Sequence, residues 1–137
     1  MKVFISHSDN DEPLARKIAA TLQQAGLEVW DDEAGIFPGD NWAEKVAQAL
    51  REAEAMVVLL TPDALKSNWV QRDIDYALSE KRFRHRLITV LAGPPEKLPE
   101  EQIPGILRRL KIVKLAGNGK EEDVRQIAQA LLETAQA

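Results

Sequence analysis

Residues 56–60, MVVLL, form an unbroken apolar run that Thr61 and Pro62 directly follow. A short run without polar alternation is typical of a strand buried on both faces of a parallel sheet. Stretches with helical periodicity lie on either side of it, before residue 54 and after residue 68. A buried strand between two helices is the pattern of βαβ units, so residues 56–60 predict a central strand of an α/β fold.

Four other short apolar runs extend this pattern to both ends of the chain. The predicted strands are Lys2–Ser6 (KVFIS), residues 27–31, residues 87–91 (LITVL) and Lys111–Leu115, the last an edge strand because its charges alternate. Helices are predicted at residues 13–25, 42–53 and 69–81 and around residues 124–131. Right-handed crossovers between such units give a flavodoxin-like open sheet of four or five parallel strands, with helices on both faces and, for five strands, the order 2-1-3-4-5.

Local signals mark where the predicted helices begin and end. Gly26 supplies the stop of the first helix. Asn68 and Gln71, three positions apart, resemble a capping pair for the third helix. Its inward face would carry Val70, Ile74 and either Ala77 or Leu78. Residues 32–41 (DEAGIFPGDN) and residues 92–105, which hold four of the seven prolines, predict long loops.

Composition narrows the class of protein. The chain has 137 residues, 45% of them apolar and 29% charged, so we expect one globular domain over residues 1–137. The net charge is −4 and the basic residues are dispersed, which disfavours a nucleic-acid partner. The lack of cysteine excludes disulfides, thiolate metal sites and cysteine nucleophiles. No apolar run reaches membrane-spanning length and residues 1–6 begin a strand, so we expect a cytoplasmic protein with no membrane partner.

Polar side chains follow several of the predicted strands. Open parallel sheets bind ligands beyond the carboxyl ends of their strands. Ser6, His7 and Ser8 end the first strand and are candidates to contact a phosphate or a ribose. Asp31 and Asp32 end the second, where a carboxylate either orders the following loop or contacts ribose. No glycine fingerprint for a dinucleotide follows the first strand, so a conventional redox dinucleotide site is disfavoured.

Five stretches resemble the Toll/interleukin-1 receptor (TIR) domain family in their order and spacing. They read VFISHS at residues 3–8, GLEVWDD at 26–32, GDNW at 39–42, VVLLTP at 57–62 and SNWVQRDIDYAL at 67–78. Each stretch is weak alone, but together they identify the chain as similar to a TIR domain of the bacterial type, from residue 2 to about residue 91.

The resemblance implies a five-stranded TIR fold with a loop after the second strand, at residues 32–41. Some family members cleave NAD+ as substrate, releasing nicotinamide with ADP-ribose or a cyclised isomer, and need no cofactor or metal. In several bacterial defence systems such products act as signals. Catalytic members place a glutamate four residues after a tryptophan. Here Trp69 matches the tryptophan and Asp73 matches the acid.

One carboxylate is sufficient for this chemistry. Breaking an N-glycosidic bond develops positive charge on the sugar, which a nearby carboxylate stabilises, and neutral nicotinamide leaves without a general acid. The aromatic candidates for stacking on the flat rings are Phe37, Trp42 and Trp69. Asp73 is one methylene shorter than the family's glutamate. It therefore belongs to a re-fitted site, a slow enzyme or an inactive domain, or it is merely a solvated residue on the helix surface.

The alternative function is a non-enzymatic module that assembles with other TIR domains, as a homo-oligomer or a filament. Ile36, Phe37, Pro38 and Gly39 would provide an apolar docking loop. A phospho-receiver domain is excluded because it needs an aspartate at the end of the third strand, where this chain has Thr61. An enzyme resembling nucleoside deoxyribosyltransferases, which use a comparable sheet and carboxylate, stays open.

Overall fold

Five parallel strands make up the sheet. The computed structural model describes residues 2–30, 42–83, 86–92, 111–115 and 121–135. The strands are β1 (Lys2–Ser6), β2 (Glu28–Trp30), β3 (Ala55–Leu60), β4 (Leu87–Ala92) and β5 (Lys111–Leu115). The described helices are α1 (Glu12–Gln24), α2 (Trp42–Glu52), α3 (Asn68–Ser79) and α4 (Glu121–Ala135). The strand order β2-β1-β3-β4-β5, with every pair parallel, confirms the predicted flavodoxin-like sheet.

The central strand β3 is the most buried element. Each of its six residues is at most 1% exposed, because the sheet continues on both of its edges and helices cover both of its faces. This agrees with the two-sided burial predicted from residues 56–60. None of the described helices is long and apolar enough to span a membrane.

Alternation along the strands divides the core into two layers. Val3 and Ile5 of β1 pack in the layer that contains α1 and α4. Phe4, between them, packs in the opposite layer with α2 and α3. Because side chains alternate across a strand, Ser6 lies on the same face as Phe4, beneath α2 and α3.

The end of α1 forms a Schellman motif around Gly26. The amide of Gly26 donates to the carbonyl of Gln23 at 3.0 Å, and the amide of Leu27 donates to that of Leu22 at 3.1 Å. Gly26 has a φ of +92°, the left-handed conformation that glycine adopts without steric cost. Since Leu27 belongs to this helix end, β2 begins one residue later than predicted.

The beginning of α3 differs from the expected Asn68–Gln71 capping pair. Ser67 is the N-cap, and its hydroxyl accepts a bond from the amide of Val70 at 3.3 Å. Asn68 is instead the first helical residue, and the side-chain amide of Gln71 donates to the Asp75 carboxylate along the helix. A serine in extended backbone geometry is a favourable N-cap, so the capping residue lies one position earlier than expected.

The inward face of α3 is as predicted for its apolar residues. Val70, Ile74 and Ala77 are buried, whereas Leu78 is 37% exposed. The helix ends at Ser79, earlier than the predicted residue 81, and a 3₁₀ turn at Lys81–Phe83 returns the chain towards the sheet. Burial of Phe83, which meets Tyr76 edge to face at 6.2 Å between ring centroids, accounts for the early end of the helix.

Candidate active site

The carboxyl ends of β1 and β3 lie side by side, because Ser6 is the register partner of Val58. Parallel pairing carries the residues that follow each strand to the same edge of the sheet. Ser6 and Ser8 come from the end of β1, and Thr61 comes from the end of β3. This edge is where ligands bind in open α/β sheets.

Asp73 reaches this edge from α3. It lies one residue before Ile74 and three after Val70, both of which are buried against β3. The stripe of residues 70, 73, 74 and 77 spans one helical face, so Asp73 faces the sheet. It is 7% exposed, and the interpretation of Asp73 as a solvated helix residue is therefore wrong.

A buried hydrogen bond joins Asp73 to β1. The Ser6 hydroxyl donates to Asp73 Oδ2 at 2.7 Å, across 67 positions of sequence. Ser6 is 1% exposed, so both partners of the bond are removed from bulk water. Hydrogen bonds to an ionised acceptor are the strong ones, and this bond offsets part of the cost of burying a carboxylate. It ties the helix that carries the acid directly to the sheet.

Ser8 bonds to a different carboxylate. Its hydroxyl donates to Asp11 Oδ2 at 2.5 Å, and the Thr61 hydroxyl donates to the same oxygen. Thr61 Oγ1 in turn accepts the amide of Ala64 at 3.0 Å. We call Ser8, Asp11 and Thr61 the loop clasp, because they connect the loop after β1 with the loop after β3.

The loop clasp was not predicted from the sequence. Asp11 occupies the N-cap position of α1 without a capping bond from its side chain. The available signal was the pair of hydroxyl residues, Ser8 and Thr61, that follow the neighbouring strands β1 and β3. Neighbouring strands bring such residues together wherever their register aligns the strand ends.

His7 points away from Asp73. Alternation along the chain directs it towards α1, where it lines a cleft with Glu12, Arg16 and Trp30. The volume of this cleft, about 10 Å³, is room for a single water molecule rather than a phosphate. His7 Nδ1 lies 2.8 Å from the Ser8 carbonyl oxygen, which can only accept, so Nδ1 carries a proton.

Other predicted site residues are described in part or lie outside the described residues. Asp32, Ile36, Phe37, Pro38 and Gly39 lie outside them. Trp42 is the first residue of α2, and Trp69 is the second residue of α3. Trp69 and Asp73 are therefore about one turn apart along the same helix.

A larger cavity lies at the opposite end of the sheet, where the strands begin. Its volume is about 200 Å³, and Lys2, Glu28 and Ala53 are among the residues that line it. Lys2 and Glu28 begin their strands, so this cavity is far from the carboxyl ends where Asp73 lies. Within the described segments, no three His, Asp or Glu side chains are grouped as metal ligands.

Comparison with known proteins identifies relatives of this chain. A family model for the TIR domain matches residues 3–132. The chain is 34% identical over 87 residues to the 2' cyclic ADP-D-ribose synthase AbTIR of Acinetobacter baumannii, covering 63% of this chain and 32% of that protein. It is 26% identical over 132 residues to the NAD(+) hydrolase PdTIR of Paracoccus denitrificans, covering 95% of this chain and 42% of that protein. The chain thus spans less than half the length of these relatives.

Solved structures show the same fold. A metazoan TIR-STING receptor from C. gigas, in complex with 2',3'-cGAMP, matches with a TM-score of 0.78 at 24% identity over 94% of this chain and 38% of that one. The TIR domain of a Toll-related receptor from Hydra magnipapillata matches with a TM-score of 0.69 at 22% identity over 97% of this chain and 95% of that one. At these identities the likeness shows the fold alone.

Proposed function

Because the chain belongs to the TIR domain family, we propose that it cleaves NAD+ at the bond between nicotinamide and ribose. Bacterial relatives named as a 2' cyclic ADP-D-ribose synthase and as an NAD(+) hydrolase support this choice of substrate. The observation that carries the proposal is the buried carboxylate of Asp73 at the carboxyl edge of the sheet, bonded to Ser6. The expected setting is bacterial defence or signalling in the cytoplasm.

The reaction needs electrostatic stabilisation more than proton transfer. The C1'–N bond breaks with its electron pair moving to the pyridinium nitrogen, which turns the cationic ring into neutral nicotinamide. Positive charge develops on the ribose, and the Asp73 carboxylate stabilises it in a site where water is partly excluded. Water then attacks C1' and loses a proton to give ADP-ribose. Alternatively, a hydroxyl of the same molecule attacks C1' and loses its proton to give a cyclic ADP-ribose, which contains one water fewer than ADP-ribose.

The remaining substrate contacts are assigned by chemistry. Trp69, Trp42 and Phe37 offer aromatic faces for nicotinamide or adenine. Asp32 is assigned to a ribose hydroxyl. Ser6 is 1% exposed and is not assigned a direct substrate contact. The Ser8 hydroxyl donates to a carboxylate, so towards a ligand it would act as an acceptor, for example of a ribose hydroxyl. A phosphate, which offers only acceptors, is therefore a poorer partner for Ser8 than ribose.

The test is incubation with NAD+ at high protein concentration, followed by chromatographic identification of the products. We expect nicotinamide release by the wild type, together with ADP-ribose or a cyclic ADP-ribose. Asp73→Ala should abolish release, and Asp75→Ala, an exposed acid two residues away, is the matched control. Full turnover by Asp73→Ala would remove this carboxylate from the mechanism. Release of free base from deoxyribonucleosides, and not from NAD+, would point to a deoxyribosyltransferase-like enzyme.

We also propose that the domain assembles with other TIR domains through the apolar residues of the loop 32–41. Ile36, Phe37 and Pro38 form an apolar group in an otherwise polar loop sequence. A head-to-tail contact through such a loop would propagate into a filament. Light scattering that rises with protein concentration and is lost in Phe37→Ala would support assembly. A chain that stays monomeric with and without NAD+ would contradict it.

A further inference from the structure

We propose that Ser6 is a positioning residue for Asp73, holding the carboxylate at a fixed place above the carboxyl end of β1. This inference deepens the proposed NAD+ cleavage and rests on it. The contact that carries it is the 2.7 Å bond from the Ser6 hydroxyl to Asp73 Oδ2.

The donor of this bond sits on a rigid element. Ser6 belongs to β1, an inner strand that pairs with β2 on one edge and β3 on the other. It is 1% exposed, so packing restricts its rotamer as well as its backbone. The hydroxyl therefore acts as a fixed reference point for the group it binds.

The acceptor is held from a second direction. Packing of Val70 and Ile74 against the sheet fixes the distance between α3 and the sheet, and the position of the Asp73 backbone is fixed with it. The remaining freedom is the orientation of a short side chain. The strong bond from Ser6 restricts that freedom further, which matters because an error of about 1 Å can cost about 100-fold in rate.

The bond orients the carboxylate without consuming it. A carboxylate offers roughly four acceptor positions, and one hydroxyl occupies one of them. The hydroxyl is neutral, so unlike a lysine or arginine partner it does not cancel the negative charge that is to face the ribose. A purely structural role would be served at least as well by two apolar side chains.

Ser6→Ala and Ser6→Thr test the proposal, and Thr89→Val is the matched control. Alanine removes the donor, whereas threonine retains it and suits a strand. Thr89 lies on the same face of the sheet, since Ser6 pairs with Val58 and Val58 pairs with Thr89. It is also fully buried, so its substitution tests the general effect of losing a hydroxyl in this layer.

Rates of nicotinamide release are measured over a range of NAD+ concentrations, with the folded fraction of each variant measured by circular dichroism. We expect Ser6→Ala to lower kcat about tenfold and to change KM less than about threefold. Ser6→Thr should restore most of kcat, and Thr89→Val should keep it.

Three outcomes would overturn the proposal. The first is wild-type kcat in a folded Ser6→Ala variant, which leaves the NAD+ cleavage itself intact. The second is an equal loss of kcat in Ser6→Ala and Ser6→Thr. The third is a wild-type protein that releases no nicotinamide at any concentration, which removes the proposed function and the role of Ser6 with it.

Discussion

The Thr61 hydroxyl donates a hydrogen bond to Asp11 Oδ2, 50 positions earlier in the chain, and so connects the end of β3 to the start of α1. Ser8 donates to the same oxygen from the end of β1. One carboxylate oxygen thereby joins the loop after β1 to the loop after β3. The geometry of that edge depends on Asp11 although Asp11 is not assigned to the substrate.

Asp11→Ala should destabilise the protein by about 2 kcal/mol, because it leaves the hydroxyls of Ser8 and Thr61 without their shared acceptor. Urea denaturation measures the loss. Asp63→Ala removes an exposed carboxylate near the same edge and should change the free energy of unfolding by less than about 0.5 kcal/mol. Equal effects of the two substitutions would show that the loop clasp contributes nothing.

Trp30→Ala should destabilise the protein by about 2 kcal/mol. The Trp30 ring stacks on Phe4 with centroids 5.2 Å apart and planes inclined by 12°, so it fastens the edge strand β2 to β1. Trp30 is half-buried, which places its cost below the value for a fully buried aromatic residue. Trp30→Phe keeps the stacking and should cost less than about 1 kcal/mol in thermal denaturation. A larger loss with phenylalanine would contradict this account.

Thr89→Val should leave stability unchanged or raise it by up to about 1 kcal/mol. The Thr89 hydroxyl is fully buried and, among the residues that the structure describes, has no hydrogen-bond partner. Replacing it with a methyl group of similar shape removes an uncompensated desolvation cost. Thr89→Ser retains the hydroxyl and loses a methyl group, so it should destabilise. A destabilised valine variant would indicate that the hydroxyl is satisfied in solution.

Asp73→Glu should raise kcat about tenfold and lower stability by about 1 kcal/mol. Glutamate is the acid of the family's catalytic members, and its carboxylate extends one carbon–carbon bond further towards the substrate edge. The added methylene enters a site that is only 7% exposed, which carries a packing cost. Nicotinamide release and urea denaturation measure the two effects. A slower, fully folded Asp73→Glu variant would indicate a site re-fitted to the shorter acid.

The fold was predictable because its signals are local. The run at residues 56–60 marked β3, and Lys111–Leu115 was predicted with the bounds that the structure has. The N-cap of α3 was missed because Ser67 and Asn68 are both good capping residues and adjacent in sequence. Which of two adjacent candidates begins a helix depends on the backbone geometry of the preceding turn.

The site was predictable only in part. Resemblance pointed to Asp73, but its burial was not predicted from the sequence, although residue 73 lies in the same helical stripe as Val70 and Ala77. The partners of the polar groups were not accessible from the sequence. Ser6 bonds to Asp73 across 67 positions of sequence, and Thr61 bonds to Asp11 across 50. Such contacts depend on the register of the strands and on how closely each helix packs on the sheet. Ser6 was therefore expected to contact a ligand, and its bond to Asp73 was not foreseen.

The enclosure of β3 offers a way to detect a ligand without following any reaction. Its backbone amides are covered on both faces and paired on both edges, so they exchange with deuterium only when the whole domain opens. A dinucleotide that binds only the native state lowers the equilibrium constant for that opening by the factor 1 + [L]/Kd, and amide exchange slows accordingly. The slowly exchanging amides of β3 thus report whether a ligand occupies the site at the carboxyl ends of the strands, even in a catalytically inactive variant.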